Sequence, residues 1–164
     1  MKKVSLIAGL MLLVAGMAWA QSDSHTVTVT VSAINVIDVD NDVTLTINAA
    51  APGENPTPVS NNTANLLWTT NGSGKKILVR ANSIPSGITL TVQAQNVTKN
   101  RGSGDGSGGP ASAGTVELTT SDQDFITGAG KSAGQCDLNY TASATVDADI
   151  TSNNITVTYT ITNS

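Results

Sequence analysis

Any chemistry in this sequence would have to come from its carboxylates, its single histidine or its single cysteine. The densest carboxylate run is "DVDND", Asp38 to Asp42, whose alternate aspartates could converge on a hard cation such as calcium. An EF-hand loop beginning at Asp38 needs glycine sixth and glutamate twelfth, and Val43 and Ala49 stand there instead. A looser calcium site borrowing Asp122 or Asp124 is the alternative; the preferred reading is a solvated turn whose side chains satisfy local backbone donors. Cys136 has no histidine to activate it, because His25 lies in an alternating stretch near the N-terminus. It reads as a small buried apolar residue, with an intermolecular disulfide as the alternative. No positioned acid–base pair and no metal-ligand spacing appears, so the chain reads as no enzyme, with a secreted hydrolase the least favoured class. No cofactor is called for.

Other motifs resolve the same way. "RGSGDGSGGPASAG", Arg101 to Gly114, is a glycine-rich surface loop without a following helix, and so is not a phosphate cradle. Five N-x-Ser/Thr sequons begin at Asn61, Asn71, Asn96, Asn139 and Asn154, as expected by chance in a chain built from asparagine and threonine. Trp68 could be a sugar-stacking platform, but its alternation with Leu66 places it on a core face.

The elements that would carry any function are strands. Lys2 and Lys3, an apolar run from Val4 to Met17 and "AWA" before Gln21 make residues 1–20 a secretory signal peptide. That run is too short to span a bilayer, and no later stretch approaches about eighteen apolar residues, so no transmembrane segment is expected. Loss of Lys2 and Lys3 moves the net charge from −4 to −6, which argues against nucleic acid as a partner. Threonine, valine, alanine, asparagine and glycine dominate, a composition suited to pleated, half-buried strands.

Period-two alternation recurs along the chain. Val27, Val29, Val31 and Ala33 share one face; Ile34 and Val36 fall on the other, so the run either bulges near Ser32 or is two strands in sequence. Val43, Leu45 and Ile47 form the next apolar row, and Pro52 to Asn62 reads as a loop without a ladder. Ala64–Leu66–Trp68 and Ile77–Val79–Ala81, joined across "NGSG", read as a hairpin. "IPSG" at Ile84 to Gly87 reads as a turn with proline second, leading into Ile88, Leu90, Val92 and Ala94. Val116 and Leu118 begin a short strand; Phe125 and Ile126 lie in a loop tucked under the body. Cys136 through Val146 is the longest alternating run, and Ile155, Val157, Tyr159 and Ile161 form a C-terminal strand. Eight or nine such strands without a competing helix predict an all-β, immunoglobulin-like antiparallel sandwich over residues 34–164, preceded by an alternating N-terminal strand over 21–33.

"HTVTVTVSAINV" resembles the donor segment and first strand of bacterial chaperone–usher pilins, especially the spore-coat-U-like group, and "SNNITVTYTIT" resembles their last strand. The resemblance implies a sandwich lacking one strand, completed by the N-terminal strand of a neighbouring copy. It implies Val27, Val29, Val31 and Ala33 as donor side chains, with threonines facing solvent. It also implies a filament (pilus, fimbrium) of this chain at the cell surface, served by a periplasmic chaperone and an outer-membrane assembly protein. The pilins commonly carry a cysteine pair, where this chain has Cys136 alone. The runner-up expectation is a secreted, self-complete monomeric sandwich acting as a binding or adhesion module.

Overall fold

The computed structural model describes residues 21–105 and 108–164; the expected signal peptide lies outside the described residues. The chain divides into two units, Met1–Val31 and Ser32–Ser164. In the first unit, residues 21–31 carry no strand ladder and are exposed.

The second unit is all β, with no helix among the described residues. Its strands are β1 (Asn35–Val39), β2 (Val59–Thr70), β3 (Lys75–Ala81), β4 (Ile88–Gly102), β5 (Ala111–Ser112), β6 (Thr115–Glu117), β7 (Gln123–Thr127), β8 (Ser132–Ala144) and β9 (Val157–Asn163). They form a two-sheet β-sandwich, with orders β1-β2-β8-β4-β6 and β5-β7-β3-β9, and every pairing is antiparallel. Alternation builds the core. Cys136, Leu138, Tyr140 and Ala142 of β8 point inward between polar neighbours, beside Leu66 and Trp68 of β2 and Val92 of β4. The other sheet contributes Ile77, Val79, Phe125, Ile126 and Tyr159. Each large apolar side chain so buried contributes about 1.5–3 kcal/mol relative to exposure.

Several local expectations change in the folded chain. Residues 64–81 are not a hairpin: β2 pairs with β1 and β8, while β3 pairs with β7 and β9, so Asn71–Gly74 carries the chain between sheets. A polar glycine turn serves that arch as well as it serves a hairpin. Phe125 and Ile126 belong to strand β7 rather than a loop, and a register shift between Ile77 and Leu78 lets both neighbours bury. The ladder begins at Val59, inside the expected proline loop, once Pro58 is passed. The Ile88 amide donates to the Pro85 carbonyl at 3.2 Å, so the turn is Pro85–Ile88, with Gly87 at φ +74° in third place.

The glycine-rich segment is partly fixed. β4 runs into it as far as Gly102, and the Asp105 carboxylate accepts from the Lys75 amide at 3.0 Å. Val146, expected to continue the β8 face, lies past that strand and is 73% exposed. Val43, Leu45 and Ile47 pack half-buried on the core without joining a ladder.

Candidate functional site: the open seam between β1 and β9

β1 is the edge of one sheet and β9 the edge of the other, and the two edges lie on the same side of the sandwich. Between them runs a groove lined by Ile37, Asp38 and Val39 from β1 and by Val157, Thr158 and Tyr159 from β9. β9 pairs with β3 over its whole length, and among the described residues of Ser32–Ser164 no strand pairs with its other side. In an antiparallel strand every second residue turns its N–H and C=O away from a given partner, so half the β9 backbone groups face the seam. The seam therefore offers a row of donors and acceptors above half-buried apolar side chains.

The strand order gives this edge its meaning. An immunoglobulin sandwich places strands A-B-E-D in one sheet and C-F-G in the other. Here β1-β2-β8-β4 take the A-B-E-D places and β3-β9 take C-F, with β5, β6 and β7 inserted between D and E. The G place, beside β9 and facing the seam, has no occupant within Ser32–Ser164.

The expected C-terminal row is where its alternation placed it. Tyr159 is buried, while Ile155, Val157 and Ile161 are partly buried against the core; Ile155 precedes the strand proper. The Tyr159 hydroxyl meets that of Tyr140 at 2.7 Å, a buried bridge from β9 to the opposite sheet, and its ring packs tilted on Phe125 with centroids 5.2 Å apart. Burial pushes both phenols above their ordinary range, so both stay protonated. Tyr140→Phe leaves the Tyr159 hydroxyl buried without its partner and is expected to cost about 1–3 kcal/mol in urea unfolding. The Tyr140→Phe/Tyr159→Phe double variant is expected to recover most of that loss; strictly additive losses would show that the bridge contributes nothing.

The expected donor residues are all exposed: Val27 at 71%, Val29 at 79% and Val31 at 74%, with Ala33 exposed as well. None belongs to the core cluster, which begins at Ala64 and gathers only Ile37 and later residues around it. Within β1, Ile37 turns inward, while Val36 and, just before the strand, Ile34 are exposed.

Sequence reasoning missed Asn71. Its side-chain oxygen accepts from the Ile34 amide at 2.8 Å, and its Nδ2 donates to the Ser32 carbonyl at 2.8 Å. Its own amide donates to the Ile34 carbonyl at 3.2 Å. These three bonds tie Ser32–Ile34, just before β1, to the turn after β2. Residues 24–35 contain neither glycine nor proline. Folding the arm back on its own β9 requires the chain to reverse just before β1 and the three Asn71 bonds there to break.

The remaining candidates have ordinary partners. The two Asp40 oxygens accept from the Asn65 amide at 2.7 Å and its Nδ2 at 2.8 Å, and these bonds hold its carboxyl below the usual value. Asp124 pairs with Lys76 at 2.7 Å and Asp122 with Arg80 at 3.5 Å, and no cluster of three metal-ligating side chains occurs among the described residues. Trp68 is buried, with its indole N–H donating to Ser132 Oγ at 3.0 Å, which removes it as a sugar platform. Cys136 is a free, buried thiol pushed up to about 12, chiefly by desolvation, so a folded subunit presents no thiolate for a disulfide. No helix among the described residues is long and apolar enough to cross a membrane. No protein-family model matches this chain, and no curated protein and no solved structure is significantly similar to it.

Proposed function

We propose that the protein is a structural subunit of an extracellular filament, in which the arm around Val27, Val29 and Val31 fills the seam beside β9 of the next copy. One observation carries this reading: the immunoglobulin order is complete except for the strand beside β9, and the same chain bears an exposed strand-forming arm. Strand addition needs free backbone groups on one partner and alternating side chains on the other, and this pair supplies both. The Asn71 bonds favour donation to another copy over retention. An uncovered edge of this kind invites aggregation, so a chaperone that covers it during export belongs to the proposal.

The test is electrophoresis of material sheared from producing cells, with and without boiling, probed for this protein. The expected result is a ladder without boiling that collapses to one band on boiling, unchanged by reductant because Cys136 is buried. A single band at monomer mass in both lanes overturns the proposal and returns the self-complete binding module.

A further inference from the structure

The sandwich is electrically polar along its strands. At one end β1 and β8 begin, and β2, β4 and β9 finish, as the pairs Asn35↔Thr70, Gly102↔Ser132 and Lys75↔Asn163 show. Lys75, Lys76, Lys99, Arg101 and Lys131 all lie there, and of the basic side chains among the described residues Arg80 alone lies elsewhere. Lys131 reaches this end through its amide, which donates to the Gly72 carbonyl at 2.9 Å. Two carboxylates share this end with the five basic side chains: Asp105, which accepts from the Lys75 amide, and Asp124, bonded to Lys76 at 2.7 Å.

At the opposite end β4 begins and β8 finishes, as Ile88↔Ala144 shows, and the charges reverse. Glu54, Glu117, Asp122, Asp147 and Asp149 are all exposed there, with Arg80 bonded to Asp122. Glu54 is brought to Asp147 by the neighbouring bond from the Val146 amide to Asn55 Oδ1 at 3.3 Å. Glu117 faces Thr91 near the start of β4.

We infer that these two ends are the mating faces of successive copies of this chain, basic end to acidic end, and that their attraction sets the polarity of the filament. The inference rests on the strand-donation reading and adds direction to it. The arm leaves from the basic end, where Asn71 holds Ser32 and where β1 starts. β9 runs toward the basic end, so a donated strand antiparallel to β9 has its own C-terminus at the acidic end of the acceptor. The donor's body follows that C-terminus and brings its basic end against the acceptor's acidic end. A parallel insertion would instead press two basic ends together. The contact is heterologous, one surface meeting a different surface on the next copy, and so propagates as a fibre.

The test compares polymerisation rates of the full chain at low and high salt. The variants carry a reversed basic end (Lys99→Glu/Arg101→Glu), a reversed acidic end (Asp147→Lys/Asp149→Lys), or both. Each single-end reversal is expected to slow polymerisation at low salt by about tenfold or more, the scale of electrostatic steering. The difference should shrink as salt screens beyond a Debye length of about 8 Å at physiological strength. Reversing both ends in one chain is expected to restore the rate, because the faces are then complementary again. In parallel, a labelled peptide of residues 24–33 is added to full chains bearing Val29→Asp with and without the reversals. Equal peptide binding with slowed polymerisation supports the inference. Equal peptide binding with unchanged polymerisation overturns it while leaving strand donation intact, and absence of peptide binding in every chain overturns strand donation itself.

Discussion

Val29→Asp is expected to abolish the unboiled ladder while leaving the subunit's own unfolding midpoint where it was. Val29 is 79% exposed and outside the core cluster, so its replacement should change subunit stability by no more than about 0.5 kcal/mol. Inserted in the seam of a neighbour as proposed, the same side chain would be buried, where a valine contributes about 1.5–3 kcal/mol. A carboxylate in that place loses this contribution and adds the cost of burying a charge without a partner, several kcal/mol more. A combined loss above about 4 kcal/mol lowers donor affinity at least a thousandfold. The control lies one residue away. Thr28→Asp puts the charge on the opposite face of the same strand, where period-two geometry leaves it in solvent, and should polymerise. The gel and a urea titration read both. A Val29→Asp ladder like the wild type, or equal damage from Thr28→Asp, would contradict insertion of the valine row.

The asymmetry between those two variants follows from how the two units divide the work. From Thr26 to Val31 the arm alternates threonine and valine, which favour extended backbone, so it gains little by collapsing alone. The sandwich closes its core on Phe125, Leu66, Leu138 and their neighbours, and leaves partly buried residues, Ile37, Val157 and Ile161 among them, along the seam. That distribution lets the body fold before it is completed. On the strand-donation proposal, the added strand would then cover the seam and join two copies.

The sandwich was legible where a strand alternates cleanly. Cys136 to Ala142 and Ala64 to Trp68 bury the side chains their spacing selects. Pairing was less legible, because β2's partner β8 lies some seventy residues on, and "NGSG" looks the same whether the chain doubles back or crosses between sheets. β7 escaped because Phe125 and Ile126 are both buried, which erases the period-two signal. Of the proposed donor and acceptor, the valine row of the arm and the Tyr159 row of β9 both stood out as patterns. Asn71 did not: its bonds to Ser32 and Ile34 span 39 and 37 residues, and in sequence it is one more turn asparagine. The charge polarity was equally hidden. Lys75, Lys99 and Lys131 are scattered in sequence and meet only when strand register brings their turns together.

Gly134→Ala is expected to destabilise the subunit by about 1–3 kcal/mol, the range for adding a methyl group to a packed site. Gly134 stands directly opposite Trp68 across the β2–β8 ladder, and the indole lies over it. A Cβ there would collide with the Trp68 ring and stand 2.7 Å from the Thr98 carbonyl oxygen, beside an irregularity of β4. Relief on the β4 side is blocked by backbone, so the indole must move. Its N–H is held by Ser132 Oγ, which itself donates to the Ala129 carbonyl at 2.6 Å, so moving the ring strains a buried relay. Trp68→Leu alone should also be costly, since it empties ring volume from the core and leaves Ser132 without its donor. The two changes relieve one another, because leucine frees the space that the new methyl group needs. The Gly134→Ala/Trp68→Leu chain should therefore be more stable than the sum of the single losses predicts, by about 1 kcal/mol or more. Urea midpoints at unchanged slope measure all three variants. Additive losses would mean that the strand relaxes around the methyl group without displacing the indole, and that Gly134 is tolerated there rather than required.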